Sequence, residues 1–125
     1  MSIKEQAENW LKERYKDMKI SEYEEKAQAT AIYPDSHKIT YPALGMAGEA
    51  GEVANKVKKL IRDGKDEMPD DWREQLASEI GDVMWYCAAL ARDLDVSLTT
   101  IMAANLDKLK ARQERGTLGG SGDKR

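Results

Sequence analysis

The sequence predicts an all-α fold: an antiparallel bundle of four to five helices whose core is completed by oligomerisation. Three observations predict it. Apolar residues recur at helical spacing in segment after segment. No stretch alternates with the period of two that marks a strand. Short breaks carrying Pro, Gly, Ser and Asp separate the helical segments, which makes neighbours mostly antiparallel. A chain of 125 residues fits one domain with one modest core, assigned to 1–116, followed by a flexible tail over 117–125.

The elements follow in order. Ile3, Ala7, Trp10, Leu11 and Met18 predict an amphipathic helix over 2–18. Ser21 followed by Glu24 reads as a capping box, opening a second helix that runs to about Tyr33, where Pro34 stops it. YPDSHKITY, from Tyr33 to Tyr41, is a loop, and Pro42 suits the first turn of the next helix. That helix carries Met46, Ala50, Val53, Val57 and Leu60 on one stripe and stops at Gly64. Pro69, Asp70 and Asp71 open the following one, with acids at the positive end of its dipole. Its stripe is Leu76, Ile80, Val83, Cys87, Leu90 and Leu94. Ser97 caps a last helix, with Ile101, Leu106 and Leu109 inside and Gly116 at its end.

Composition removes several functional classes. A net charge of −3 argues against general nucleic-acid binding. One cysteine rules out an internal disulfide framework and a Cys-rich zinc site. Cys87, within MWYCAALA, reads as a small core residue. The first ten residues lack a signal-peptide apolar region, and no apolar run approaches the ~20 residues that span a bilayer. The expectation is a cytoplasmic protein without a membrane partner.

The chemistry-bearing pattern is acidic. Glu49 and Glu52 project together from one helix, and Glu79 and Asp82 from the next, because residues three apart are neighbours on a helix surface. In a hairpin, positions equidistant from the turn lie level. Glu52 with Glu79, and Glu49 with Asp82, share a midpoint between residues 65 and 66. The two pairs therefore face each other within about one helical turn, ~5.4 Å. Four carboxylates at one level repel, and a hard divalent cation relieves them; oxygen-only ligands select Mg²⁺, with Mn²⁺ possible, over zinc. The same spacing also suits a solvated acidic face.

GEAGEV, EIGDVMWY and ANLDKLKARQERG together resemble the MazG-like, all-α nucleoside triphosphate pyrophosphohydrolases. The resemblance runs from about Tyr33 to the C-terminus. The family pattern is EExxE on one helix and ExxD on the next. Glu49 and Glu52 match the last two acids of the first motif, Glu79 and Asp82 match the second, and Gly48 stands where many members have the first Glu. The resemblance implies Mg²⁺-dependent hydrolysis of an NTP or dNTP to the monophosphate and pyrophosphate. Glu49, Glu52, Glu79 and Asp82 would be metal ligands, and Glu52 or Glu49 the catalytic carboxylate, with Glu52 favoured as acceptor of the water proton. The alternatives are a non-catalytic helical module that binds metal or nucleotide, and a phosphoribosyl-ATP pyrophosphohydrolase.

Further residues are candidates for binding the substrate. Lys56, four after Glu52, either meets a phosphate or pairs with Glu52. Tyr86, four after Asp82, either meets substrate or is a core tyrosine. Asn105, Lys108 and Arg112 share a face of the last helix, which carries phosphate-contacting residues in the family; Lys110 faces solvent. In GGSGDKR, glycine amides with Lys124 and Arg125 either close over a triphosphate or form a disordered end. His37, Tyr41 and Trp85 are candidate platforms for the base, with Trp10 and Trp72 behind them. On the helical wheel Trp85 and Met84 point away from their own stripe, which predicts a homodimer or homotetramer.

Overall fold

The computed structural model describes residues 2–65 and 67–125; Met1, Asp66 and the side chain of Ile3, expected on the first stripe, lie outside the description. Five α-helices and no strand occur among the described residues: α1 Ile3–Arg14, α2 Ile20–Gln28, α3 Thr40–Arg62, α4 Asp70–Asp93 and α5 Leu98–Arg115, with a 3₁₀ turn at Asp35–His37. Among the described residues, no helix is long and apolar enough to cross a membrane.

Local chemistry sets the ends. The capping box forms at the start of α1, where the Ser2 hydroxyl accepts from the Glu5 amide and the Glu5 carboxylate accepts from the Ser2 amide. The expected box at Ser21 and Glu24 does not form: α2 begins two residues earlier, with Lys19 as its cap. It also ends at Gln28 rather than near Tyr33, because the Thr30 amide and hydroxyl both turn back to the Ala27 carbonyl. Gly64 adopts φ +66° after α3, and the Lys65 amide donates to the Leu60 carbonyl, closing the helix as expected for glycine there. Gly116 does the same for α5 at φ +72°.

The hairpin of α3 and α4 is the most extensive helix pairing. Pro42 is fully buried in the first turn of α3, and Cys87 on α4 meets Met46 on α3, Sγ to Sδ 3.7 Å. Ala88, Ala89 and Ala91 are buried on α4. Their small side chains admit α2 and the start of α5, so that Ala27, Ala88, Ala91 and Leu98 form a cluster against which Tyr23, Trp85 and Cys87 pack. Burial pushes the Cys87 thiol up, consistent with a core residue.

Two expected stripes face solvent in this chain. Trp10, Leu11 and Met18 are exposed, and so are Ile101, Leu106 and Leu109. The physical reason on α5 is that its packing against α2 and α4 centres on the first turn, where Leu98 is buried, while residues 99–110 are exposed. After α5, residues 117–125 turn back on the helix. The Asp123 carboxylate accepts from Lys108 Nζ at 2.8 Å and from Arg112 Nη2 at 3.1 Å. Those two cations, Lys108 first, hold the Asp123 carboxyl below its ordinary range. Arg112 is buried, and Arg125 donates to the Thr117, Leu118 and Gly122 carbonyls.

Candidate metal centre and the adjoining cavity

Glu49 projects from the middle of α3 and Glu79 and Asp82 from the facing part of α4. One carboxylate oxygen from each lies within 4.8 Å of the others. Glu52, three residues on from Glu49, is exposed and stands outside this trio. Its charge still reaches the site: it is one of the acids that raise the Glu49 carboxyl above its ordinary range. The largest cause of that rise is a hydrogen bond with Glu79, followed by desolvation and the charges of Glu79 and Asp82. Such a bond needs a shared proton. With both groups ionised neither has one to give, and Glu79 Oε2 is then buried with no hydrogen-bond partner.

Among the described residues, one cation touches the group. Lys56 Nζ crosses from α3 to α4, donating to Gln75 Oε1 at 3.2 Å and lying 3.9 Å from Glu79 Oε1. Lys56 thus meets Glu79 across the hairpin rather than Glu52 on its own helix. Among the described residues a single lysine leaves three converging carboxylates undercompensated, and the orphaned buried oxygen meets no donor. The residues present therefore fit a divalent cation with oxygen ligands.

Beside the trio opens a cavity of about 390 Å³ lined by Thr30, Ile32, Tyr33, Tyr41, Glu49, Asp82, Trp85 and Tyr86. Two of the three converging acids are therefore also cavity walls. The remaining wall is largely aromatic. Tyr33 stacks on Tyr41, centroids 4.8 Å apart and 15° between planes. Trp85 meets Tyr86 edge to face at 5.0 Å. The Trp85 indole donates to the Thr30 hydroxyl at 2.8 Å and the ring packs on the cluster that includes Ala27, so this residue meets the end of α2 and the turn after it in its own chain; the wheel, which knows only its own helix, points it outward. Tyr86 lies flat against α3 because position 45 is glycine: a Cβ there would sit 2.2 Å from Tyr86 Cε1. Desolvation, the neighbouring Tyr41 and the acids Glu49 and Asp82 hold the Tyr86 phenol above its ordinary value, so it stays a neutral donor.

The other expected binding residues stand elsewhere in this chain. His37 is exposed in the 3₁₀ turn, and neither it nor Asn105, Lys108 or Arg112 lines the cavity. Lys108 and Arg112 are engaged by Asp123. Trp10 carries the Arg14 guanidinium over its ring on α1, and Trp72 sits in the first turn of α4; neither lines the cavity. Sequence reasoning passed over Gly45, Thr30, Tyr33 and Asp93. Only Tyr33 had a local signal, a second tyrosine at the far end of the same loop.

A model of the MazG nucleotide pyrophosphohydrolase domain matches residues 37–117, a span that contains all four acids. The chain is also 46% identical over 114 residues to the Gene 37 protein of Mycobacterium phage L5, an alignment covering 86% of this chain and the whole of that one. No solved structure matches it significantly. With the acidic helix pair inside the matched span, the chain belongs to the MazG nucleotide pyrophosphohydrolase domain family.

Proposed function

We propose that the chain hydrolyses nucleoside or deoxynucleoside triphosphates to the monophosphate and pyrophosphate, with Mg²⁺ or Mn²⁺ held by Glu49, Glu79 and Asp82. The observation that carries this reading is the shared wall: Glu49 and Asp82 belong at once to the acidic trio and to the aromatic cavity. A nucleotide presents the matching pair of features, a flat base and a polyanion joined through one sugar. The cavity volume lies in the usual range of small-molecule sites.

Charge decides why a cation belongs in the account. A triphosphate approaching three or four carboxylates meets repulsion that Lys56 alone does not offset. A bound Mg²⁺ would supply that neutralisation and withdraw electrons from the phosphorus that is attacked. The protein's own groups do the rest. Tyr33, Tyr41, Trp85 and Tyr86 stack on and orient the base and sugar. Glu52, exposed and outside the trio, accepts the proton of the attacking water. The water oxygen forms a bond to the α-phosphorus while the bond to the bridging oxygen breaks, and pyrophosphate leaves. Lys56 pairs with a phosphate oxygen or keeps Glu79 oriented. Lys108 and Arg112 serve as phosphate ligands only by exchanging Asp123 for a phosphate oxygen, with Asn105 on the same face and His37 at the rim.

The same reading includes a homodimer or homotetramer in the cytoplasm. A small set of buried apolar residues supports this chain, while Ile61 (75% exposed), Leu44 (69%) and Leu106 (68%) face solvent. A second copy would cover such residues.

Pyrophosphate release from a panel of NTPs, dNTPs and phosphoribosyl-ATP, with and without Mg²⁺, tests the proposal. The expected result is metal-dependent release from at least one nucleoside triphosphate. Release from phosphoribosyl-ATP alone would move the assignment to that substrate, and no release from any member would refute an enzymatic role.

A further inference from the structure

Asp93 is the last residue of α4, and its side chain is 1% exposed. One of its oxygens, Oδ2, accepts from two places at once: the Tyr33 hydroxyl at 2.8 Å and the Ile39 amide at 2.9 Å. These donors lie near the middle and at the far end of the segment 29–39 that joins α2 to α3. Arg92 Nη2 donates to the Tyr33 hydroxyl at 2.9 Å, so that phenol is fixed from both sides, giving its proton to Asp93 and accepting from Arg92. Ile39, the cap of α3, adopts φ +68° and ψ −56° at the centre of a γ-turn closed by the Thr40 amide on the Lys38 carbonyl, a positive-φ conformation that a β-branched residue takes only when its surroundings impose it. The Asp93 bond to the Ile39 amide holds that turn against α4.

The consequence reaches the cavity. Tyr33 stacks on Tyr41, and both rings line it. Asp93 lies outside the lining, yet the same helix carries Asp82, Trp85 and Tyr86 on the way to it. Helix α4 thus supplies one wall directly and clasps the other wall through its final carboxylate. Charge-assisted hydrogen bonds to a buried carboxylate are strong and directional, which suits a clasp better than apolar packing would.

We propose that Asp93 is a positioning residue for base recognition: it holds the Tyr33–Tyr41 wall in register with the acidic trio, and so sets the affinity and selectivity for the nucleobase without touching substrate. The inference rests on the proposed pyrophosphohydrolase reading. It assigns the chemistry of polyphosphate binding to α3 and the middle of α4, and the reading of the base to a loop that Asp93 closes.

The test is steady-state kinetics of Asp93→Asn and Asp93→Ala in the full chain, over several NTPs, with inorganic tripolyphosphate as a base-free competitor. Asp93→Ala is expected to raise KM for the preferred nucleotide about tenfold and to narrow the differences between bases, with kcat within about twofold. Asp93→Asn, which keeps shape and one acceptor, recovers part of the loss. The inhibition constant of tripolyphosphate stays at the wild-type value in both. An unchanged KM in both variants overturns the inference alone. So does an equal weakening of nucleotide and tripolyphosphate, which marks general loss of structure; should Asp93→Ala fail to fold, Asp93→Asn carries the same comparison. A wild-type chain inactive on every nucleotide overturns the parent reading and this inference with it.

Discussion

Glu79→Gln is expected to lower kcat for pyrophosphate release by at least about 10²-fold while leaving the metal-free protein more stable, not less, at neutral pH. Both halves follow from one geometry. Glu79 sits between two acids and one lysine with a buried oxygen that has no donor. Removing its charge takes away a ligand the cation needs, and also takes away repulsion that the cation would otherwise relieve. The pH dependence gives a second readout. In the wild type the Glu49 carboxyl lies above its ordinary value of 4.5, chiefly through its bond to Glu79. The folded, metal-free chain therefore retains a proton that the unfolded chain has already released. Its stability falls as pH rises from about 4.5 through the raised Glu49 value. Thermal melts of the metal-free proteins across that window should show the fall in the wild type and a weaker one in Glu79→Gln. Equal slopes would mean that the two carboxyls do not interact as described.

Gly45→Ala should cost about 1–3 kcal/mol of stability, against the usual gain when glycine in a helix becomes alanine. The new methyl would enter the ring of Tyr86, approaching Cε1 at 2.2 Å, and a rigid aromatic ring flanked by Trp85 and Tyr41 has little room to retreat. Gly48 and Gly51 on the same helix are the internal controls: a Cβ at either meets nothing within 4 Å. Their alanine variants should gain about 0.5–1 kcal/mol from helix propensity. Urea denaturation of the three variants separates these outcomes. A Gly45→Ala midpoint shifted upward like the other two would show that Tyr86 does not pack on α3.

Much of this site is local in sequence, and that part was legible. The acids three apart on two helices, and the symmetry of their positions about the turn at Gly64, bring Glu49, Glu79 and Asp82 together with no knowledge beyond helix geometry. Glu52 lies outside that trio although, like Asp82, it is exposed; a level register alone does not fix how far each carboxylate reaches. Features joining distant segments were not legible. Asp93 reaches Tyr33 across sixty residues, and Trp85 reaches Thr30 across fifty-five. The helical wheel sees only the helix to which it belongs, so it turned Trp85 outward although the end of α2 and Thr30 beyond it cover the ring. The stripe of Ile101, Leu106 and Leu109 exposes the same limitation from the other side. Periodicity identifies an apolar face correctly and says nothing of which surface, in this chain or another, will cover it.

Glu49, Glu79 and Asp82 are expected to share a single divalent cation that the nucleotide then meets. Titration of Mn²⁺ followed by electron paramagnetic resonance tests it without requiring turnover. Wild type should bind Mn²⁺ saturably, Glu52→Gln should bind it comparably while losing activity, and Glu79→Gln should lose the binding. Wild-type Mn²⁺ binding in Glu79→Gln, or none in the wild type, would contradict the claim.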